Sequence, residues 1–285
     1  MGRIALVTDS TCDLPTAFLE KYNIHTVPLN VIFGDKNYHD GVTIDAERFF
    51  TMLRTETEHH PRTSQPAPGD FAQVYDRLQG EYDHILSIHL SSLLSGTYQS
   101  ALMAKDLFPQ ADITVIDSRS ASIALGWIVL LAARAIEEGK PLDKVIEVVQ
   151  KAAAEQAILL TVESLTWLHK NGRIGKASAM LGGLLNVRPV LRLEEGIITP
   201  HDKLRGKMEK VLGQMVTAMT DLVSTEQPVY IGIVHAERHD LAEYVAKLLE
   251  EKYTVREQII TSVGPVIGVN TGPGTIGFVA TPVQE

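Results

Sequence analysis

The segment His89-Leu90-Ser91-Ser92-Leu93-Leu94-Ser95-Gly96-Thr97-Tyr98-Gln99-Ser100-Ala101 gathers hydroxyl side chains and a glycine where an apolar run gives way to a helical pattern. A helix starting near Ser95 exposes free N–H groups and a partial positive charge, so it can hold an anion without any basic side chain. Small hydroxyl residues there either cap the helix or reach a bound carboxylate or phosphate. As a nucleophile Ser95 needs an oriented base, and nothing in the sequence brings His89 to it. Asp9 invites comparison with aspartyl phosphotransferases, but Thr11 stands where a second carboxylate is needed. The simpler role for Asp9 is to accept hydrogen bonds at a strand end, and for Cys12 to pack. No Gly-x-Ser-x-Gly or His-Glu-x-x-His occurs.

Two further patterns carry weaker chemistry. Gly272-Pro273-Gly274-Thr275-Ile276-Gly277 has the spacing of a dinucleotide-binding turn, yet only eight residues follow Gly277. That motif has to open a βαβ unit with an acidic residue about twenty positions on. A tight turn that lets backbone approach a ligand or a neighbouring segment is the better reading. The ten histidines, His59-His60 included, show no metal-ligand spacing. Between Lys170 and Lys210 nine Lys/Arg face four acids. That local excess is either a solvated loop region or a docking face for an acidic or phosphate-bearing partner.

The elements that must position these residues alternate. Ile4–Val7, Ile85–Leu90 and Ile113–Ile116 are short apolar runs, each followed by a polar turn and then a helical pattern at Leu14–Lys21, Thr97–Phe108 and Ser120–Glu138. Such alternation predicts parallel strands joined by crossover helices, an α/β layer architecture. Strand C-termini line the ligand crevice of such sheets, which sets Ser95 at the rim. His25–His39 reads as a strand pair turning at Gly34-Asp35, and Glu56–Gly69, with three prolines, as an ordered loop. The apolar segment 121–133 predicts a helix buried nearly all round. A second unit starts near Ala157, with a strand at 158–162, a hairpin about Glu194-Glu195, amphipathic helices over 208–222 and 241–249, and strands at 229–234 and 278–281.

Composition bounds the class. At 285 residues, 45% hydrophobic and 21% charged, the chain suits one large or two ordinary soluble domains. A net charge of −9 argues against a general nucleic-acid binder. The single Cys12 excludes a disulfide framework. With no signal peptide pattern and no apolar run long enough to span a bilayer, a cytoplasmic location is expected.

Together these segments resemble the DegV family of bacterial fatty acid-binding proteins, the lipid-carrying subunits of fatty acid kinase. The likeness runs along essentially the whole chain. It rests on Val7-Thr8-Asp9-Ser10-Thr11-Cys12-Asp13-Leu14-Pro15, Thr63-Ser64-Gln65-Pro66, Ser91–Ala101, Asn171-Gly172-Arg173-Ile174, Leu184–Leu191 and Gly272-Pro273-Gly274, in that order. The resemblance implies two α/β domains, 1–156 and 157–285, the first with a mostly parallel Rossmann-like sheet. One long-chain fatty acid would lie in a tunnel between or within them. It implies that Thr63 and Ser95 bind the carboxylate, with Gly96 adding a backbone N–H. Hydroxyl donors and a helix N-terminus stabilise a carboxylate without burying a counter-cation. Each buried CH₂ contributes about 0.8 kcal/mol, so some ten methylenes give roughly 8 kcal/mol, and the tail should dominate affinity.

The family pattern has histidine where this chain has Asn270, which can still donate a hydrogen bond as a third carboxylate contact but cannot become cationic. Arg188 likewise stands where lysine is more usual. By the same resemblance the protein is no enzyme; no cofactor or metal, a monomeric state and at most transient membrane contact are also expected. It presents its acid to a kinase catalytic subunit that makes the acyl phosphate, with Arg173 and Arg205 expected to dock that subunit. The competing readings are a hydrolase or phosphotransferase using Ser95 or Asp9, and a sensor that uses the same pocket to regulate a partner.

Overall fold

A computed structural model of the chain describes residues 2–56, 58–182 and 187–283, so the stretch Leu184–Asn186 of the family-like pattern lies outside the described residues. The opening apolar run forms β1 (Ile4–Asp9), buried along nearly its whole length, as a strand covered on both faces must be. A 3-10 turn, Ser10–Cys12, capped by Asp9, leads to α1 (Thr16–Lys21) and β2 (Ile24–Val27). β3 (Asn30–Phe33) and β4 (Lys36–His39) make the hairpin expected about Gly34-Asp35. The segment before it, His25–Val27, instead belongs to β2 and pairs with β1.

Next come α2 (Ala46–Thr55), β5 (Arg62–Ser64) and α3 (Pro68–Gln79), then β6 (His84–His89), α4 (Thr97–Lys105), β7 (Ile113–Asp117), α5 (Ser122–Glu137) and α6 (Leu142–Glu155). The proline-rich loop is thus ordered, and it carries a strand: β5 pairs with β3, giving a small antiparallel sheet β4-β3-β5. The four strands β2-β1-β6-β7 form an all-parallel sheet.

The remainder of the chain supplies β8 (Ala157–Thr161), α7 (Thr166–Lys170), a 3-10 segment Gly175–Met180, β9 (Arg188–Glu194), β10 (Ile197–Leu204), α8 (Met208–Leu222), β11 (Val229–His235), α9 (His239–Glu250), β12 (Val255–Ser262), α10 (Pro265–Thr271) and β13 (Ile276–Pro282). These strands make a mixed sheet in the order β10-β9-β8-β13-β11-β12, in which only β11 and β12 run parallel. The protein is therefore an α/β fold with one parallel and one mixed sheet. The β9–β10 hairpin turns at Glu195-Gly196, both with positive φ.

α5 explains how the two sheets are held. Twelve of its sixteen residues are buried, because it packs against β1 of the parallel sheet and against β11 and β13 of the mixed one. An all-round apolar helix is stable only where both sides are covered. Gly126 permits the approach on the β1 side: a Cβ there would lie 2.6 Å from the Cys12 carbonyl oxygen. On the other side Trp127 stacks on Tyr230 with ring centroids 4.8 Å apart.

Candidate functional site

α4 begins at Thr97 with Gly96 in the cap position, and Ser95 stands just before it. The Ser95 hydroxyl accepts from the Thr97 N–H at 3.3 Å and lies 2.9 Å from the Thr97 hydroxyl, so it does serve the helix start. The turn that delivers it is fixed by Ser91. The Ser91 carbonyl accepts from the N–H of Leu94 and of Ser95, at 2.9 and 3.1 Å. The buried Ser91 hydroxyl donates to the Gly196 carbonyl at 2.7 Å, tying this turn to the tip of the β9–β10 hairpin.

Thr63 comes from β5, opposite Val31 of β3. Its backbone pairing, rather than any helix, brings it to the rim. Thr63 and Ser95, with Gln65, Arg173 and Asn270, line one cleft. The rest of the wall is mostly apolar, contributed by α5 (Ile123, Ala124), the mixed sheet (Ile158, Leu160, Val234, Phe278) and α10 (Val266, Ile267), with Ser64, Ser122, Thr271 and Thr275 among it. Among the described residues no histidine, lysine or carboxylate lines it, and Arg173 is its one charged side chain. Gly96 is not part of the lining; the Gln65 side chain packs over it, 3.0 Å from where a Cβ would sit.

Arg173 was expected at a docking face. The structure sets it in the cleft wall, with Nε donating to the Leu94 carbonyl at 3.2 Å and NH1 to the Asn171 carbonyl at 2.6 Å. No carboxylate among the described residues pairs with it, so its charge is left to the cleft. Arg205 is exposed between β10 and α8, away from the lining. Asn171, in the same Asn-Gly-Arg stretch, was not singled out by type, yet it joins three segments. Its Nδ2 donates to the Val269 carbonyl of α10 at 2.9 Å and to the Trp167 carbonyl at 3.2 Å, and lies 3.1 Å from His60 Nε2. His60 in turn stacks on Trp167. Burial, with help from Lys170, holds its pKa below the ordinary imidazole value, which suits a ring nitrogen that accepts.

α10 lies inside the glycine-rich stretch that reads as a turn in sequence. Its N-terminal N–H groups are taken by buried acids from the other end of the chain: Asp13 Oδ1 accepts from Gly264 at 3.1 Å, and Asp40 accepts from Val266. Burial pushes the Asp13 carboxyl well above the usual range and the Asp40 carboxyl up to about 7. Asp13 also accepts a short hydrogen bond from Ser122, whose residue lines the cleft. At the far end Gly272 has φ +78 and touches the Trp167 ring. The expected tight glycine turn is therefore Gly272–Thr275, after the helix. Asn270 donates from Nδ2 to the Val266 carbonyl of its own helix at 2.8 Å, and its buried Oδ1 has no partner among the described residues.

The alternative catalytic residues are elsewhere. Asp9 and His89 are wholly buried and bonded to each other, not to Ser95. Cys12 is packed, and burial lifts its thiol far above the ordinary value. Among the described residues no cluster of three metal-ligating side chains occurs, and no helix is long and apolar enough to cross a membrane.

Comparison with known proteins places this geometry in context. The model of the DegV family, described as an uncharacterised protein family, matches residues 3–283. Protein DegV of Bacillus subtilis is 33% identical over 277 residues, 96% of this chain and 98% of its own. Among solved structures, a fatty acid-binding DegV family protein from Thermus thermophilus shares 36% identity at a TM-score of 0.92, covering 99% of this chain and 100% of that one. A stearic acid-binding protein from Eubacterium ventriosum shares 28% identity at a TM-score of 0.87, covering 99% and 98%.

Proposed function

This chain belongs to the DegV family, and on that footing we propose that it binds one long-chain fatty acid and presents it to a separate kinase subunit. The observation that carries the reading is the polarity of the cleft. Its wall is mainly apolar, with a minority of polar side chains that includes Thr63, Ser95, Gln65, Arg173 and Asn270, which suits a ligand with a long tail and one polar head. The solved relatives from Thermus thermophilus and Eubacterium ventriosum, described as binding fatty acids, support it.

In this reading the tail supplies most of the affinity, at about 0.8 kcal/mol per buried methylene. Thr63 and Ser95 donate to the carboxylate, and the unpaired charge of Arg173 faces it. Gly96 acts through the start of α4 rather than as part of the wall. The division into units 1–156 and 157–285 puts the whole parallel sheet in one and the whole mixed sheet in the other. The acid lies between them.

The protein is a carrier rather than an enzyme, monomeric and cytoplasmic, using no cofactor. Among the described residues the Ser95 hydroxyl is hydrogen-bonded to the Thr97 hydroxyl and N–H, not to a base. Acyl phosphate formation needs Mg²⁺ and phosphate-clamping groups, which the kinase subunit brings, and Arg173 and the exposed Arg205 offer it cationic contacts. The decisive experiment is mass spectrometry of lipid extracted from the purified protein, followed by calorimetric titration of the delipidated protein with palmitate. One fatty acid per chain is expected. No extracted acid and no heat on titration would overturn the reading.

A further inference from the structure

The two polar atoms of Asn270 are unequally provided for, and this bears on which head groups the cleft admits. Nδ2 is committed to the Val266 carbonyl, while Oδ1 is buried with no donor among the described residues. Turning the amide over removes nothing from the problem, because it sets Oδ1 against the Val266 carbonyl, acceptor against acceptor. A buried acceptor without a donor is costly to leave unmade, so the ligand that supplies one is favoured over the ligand that cannot.

An ionised carboxylate only accepts hydrogen bonds. It satisfies the hydroxyls of Thr63 and Ser95 but offers Oδ1 no donor. A head group that combines a carbonyl with an N–H or O–H satisfies both sides at once. Its carbonyl takes the hydroxyl donors and its own hydrogen goes to Asn270. A primary amide has that pattern permanently, and a carboxyl group has it while it keeps its proton. Two buried acids pack on α10, Asp13 accepting from Gly264 and Ser122 and Asp40 from Val266. Among the described residues Arg173 is the one charged group of the lining, already donating to Leu94 and Asn171. His60, behind Asn171, is held toward its neutral form by burial and by Lys170.

We infer that Asn270 makes this cleft a receptor for uncharged acyl ligands whose head group pairs a carbonyl with a hydrogen-bond donor, primary fatty amides foremost. The inference rests on the acyl-binding reading above and extends it to a second ligand class.

Palmitamide cannot ionise, so it tests the pattern at any pH. The delipidated protein carrying a fluorescent acyl probe is titrated with palmitamide and, separately, with palmitate. In the unaltered protein palmitamide is expected to displace the probe with an affinity within about tenfold of palmitate. Asn270→Leu removes the acceptor and should raise the ratio of the palmitamide Kd to the palmitate Kd by about tenfold or more. Asn270→Asp keeps an acceptor but adds a negative charge that repels a carboxylate more than an amide, so it should lower that ratio. These opposite signs are not produced by a general loosening of α10. If palmitate displaces the probe and palmitamide does not, or if Asn270→Leu leaves their ratio unchanged, the inference is wrong while the fatty acid reading stands. If neither ligand displaces the probe, it is the acyl-binding reading that fails.

Discussion

His89 Nδ1 lies 3.0 Å from Asp9 Oδ2, with both side chains fully buried at the ends of the adjacent parallel strands β6 and β1. Asp9 also accepts from the Leu90 N–H at 3.0 Å and from the Thr11 N–H at 3.1 Å. His89 Nε2 is 2.7 Å from the Ser87 hydroxyl, which accepts from Tyr75 at 2.8 Å. The residue types are those of a serine–histidine–acid relay, but they are sealed in the core. Their effect is to fix the end of β6, from which the Ser91–Ser95 turn departs.

Asp9→Ala should therefore act on stability. Leaving His89 and the Leu90 N–H buried without their partner is expected to cost about 3–5 kcal/mol, as for one half of a buried pair. Urea denaturation measures it. Hydrolysis of a p-nitrophenyl ester by the unaltered protein, abolished by Ser87→Ala, would instead show that the relay is reached by substrate.

Head-group contacts should tune affinity without abolishing it. Thr63→Val and Ser95→Ala each remove a hydroxyl donor worth about 1.5–3 kcal/mol toward a charged group, roughly ten- to a hundredfold in Kd. Calorimetry with palmitate reads the change. Ser95→Ala should in addition lower thermal stability slightly, because its hydroxyl accepts from the Thr97 N–H. Unchanged affinity in both variants would place the head group elsewhere.

Asp40 makes stability depend on pH in an unusual direction. Burial raises its folded pKa to about 7, above the unfolded value of a carboxyl group. Between those two values the folded state binds more protons than the unfolded one, so stability is fully present at low pH and falls as pH rises toward about 7. Asp13, shifted the same way, adds to the fall. Asp40→Asn can still accept from Ser10. It should raise the urea midpoint above neutral pH, leave it nearly unchanged in acid, and flatten the profile between.

Gly272→Ala should disturb the ligand site from outside it. The position has φ +78, and a Cβ there would lie 2.2 Å from the Trp167 ring. Overpacking of this kind costs about 1–3 kcal/mol. Displacement of Trp167 should appear in its fluorescence, and palmitate affinity should fall because α10 carries Asn270 and Thr271 into the cleft wall. Normal affinity would mean that α10 does not respond to its C-terminal packing.

The two arginines should separate. Arg205→Glu, on the exposed stretch after β10, is expected to leave palmitate binding intact and abolish acyl phosphate formation with the kinase subunit. Arg173→Glu puts a negative charge in the cleft wall and should weaken both. Kinase coupling that survives Arg205→Glu removes that residue from the docking face.

By itself the sequence determined the parallel sheet, the buried helix α5, a hairpin about Glu194-Glu195, one residue before the turn the structure shows, and the hydroxyl-bearing turn before α4. These are written in local periodicity and turn chemistry, which neighbouring residues carry among themselves. It also marked Thr63 and Ser95, through the stretches that resemble the DegV family. Only the tertiary structure decided that β5 lies within the proline-rich loop, since three residues become a strand by pairing with β3. It also decided that Pro265–Thr271 is a helix. Seven residues with a central glycine have little helix propensity, and what holds them is remote: the Asp13 and Asp40 carboxyls at one end and Asn171 at the other. The same distance in sequence hid the place of Arg173 in the cleft wall and the unpartnered oxygen of Asn270. Residue type says what a group can donate or accept; only the packed chain says which of those bonds are already made.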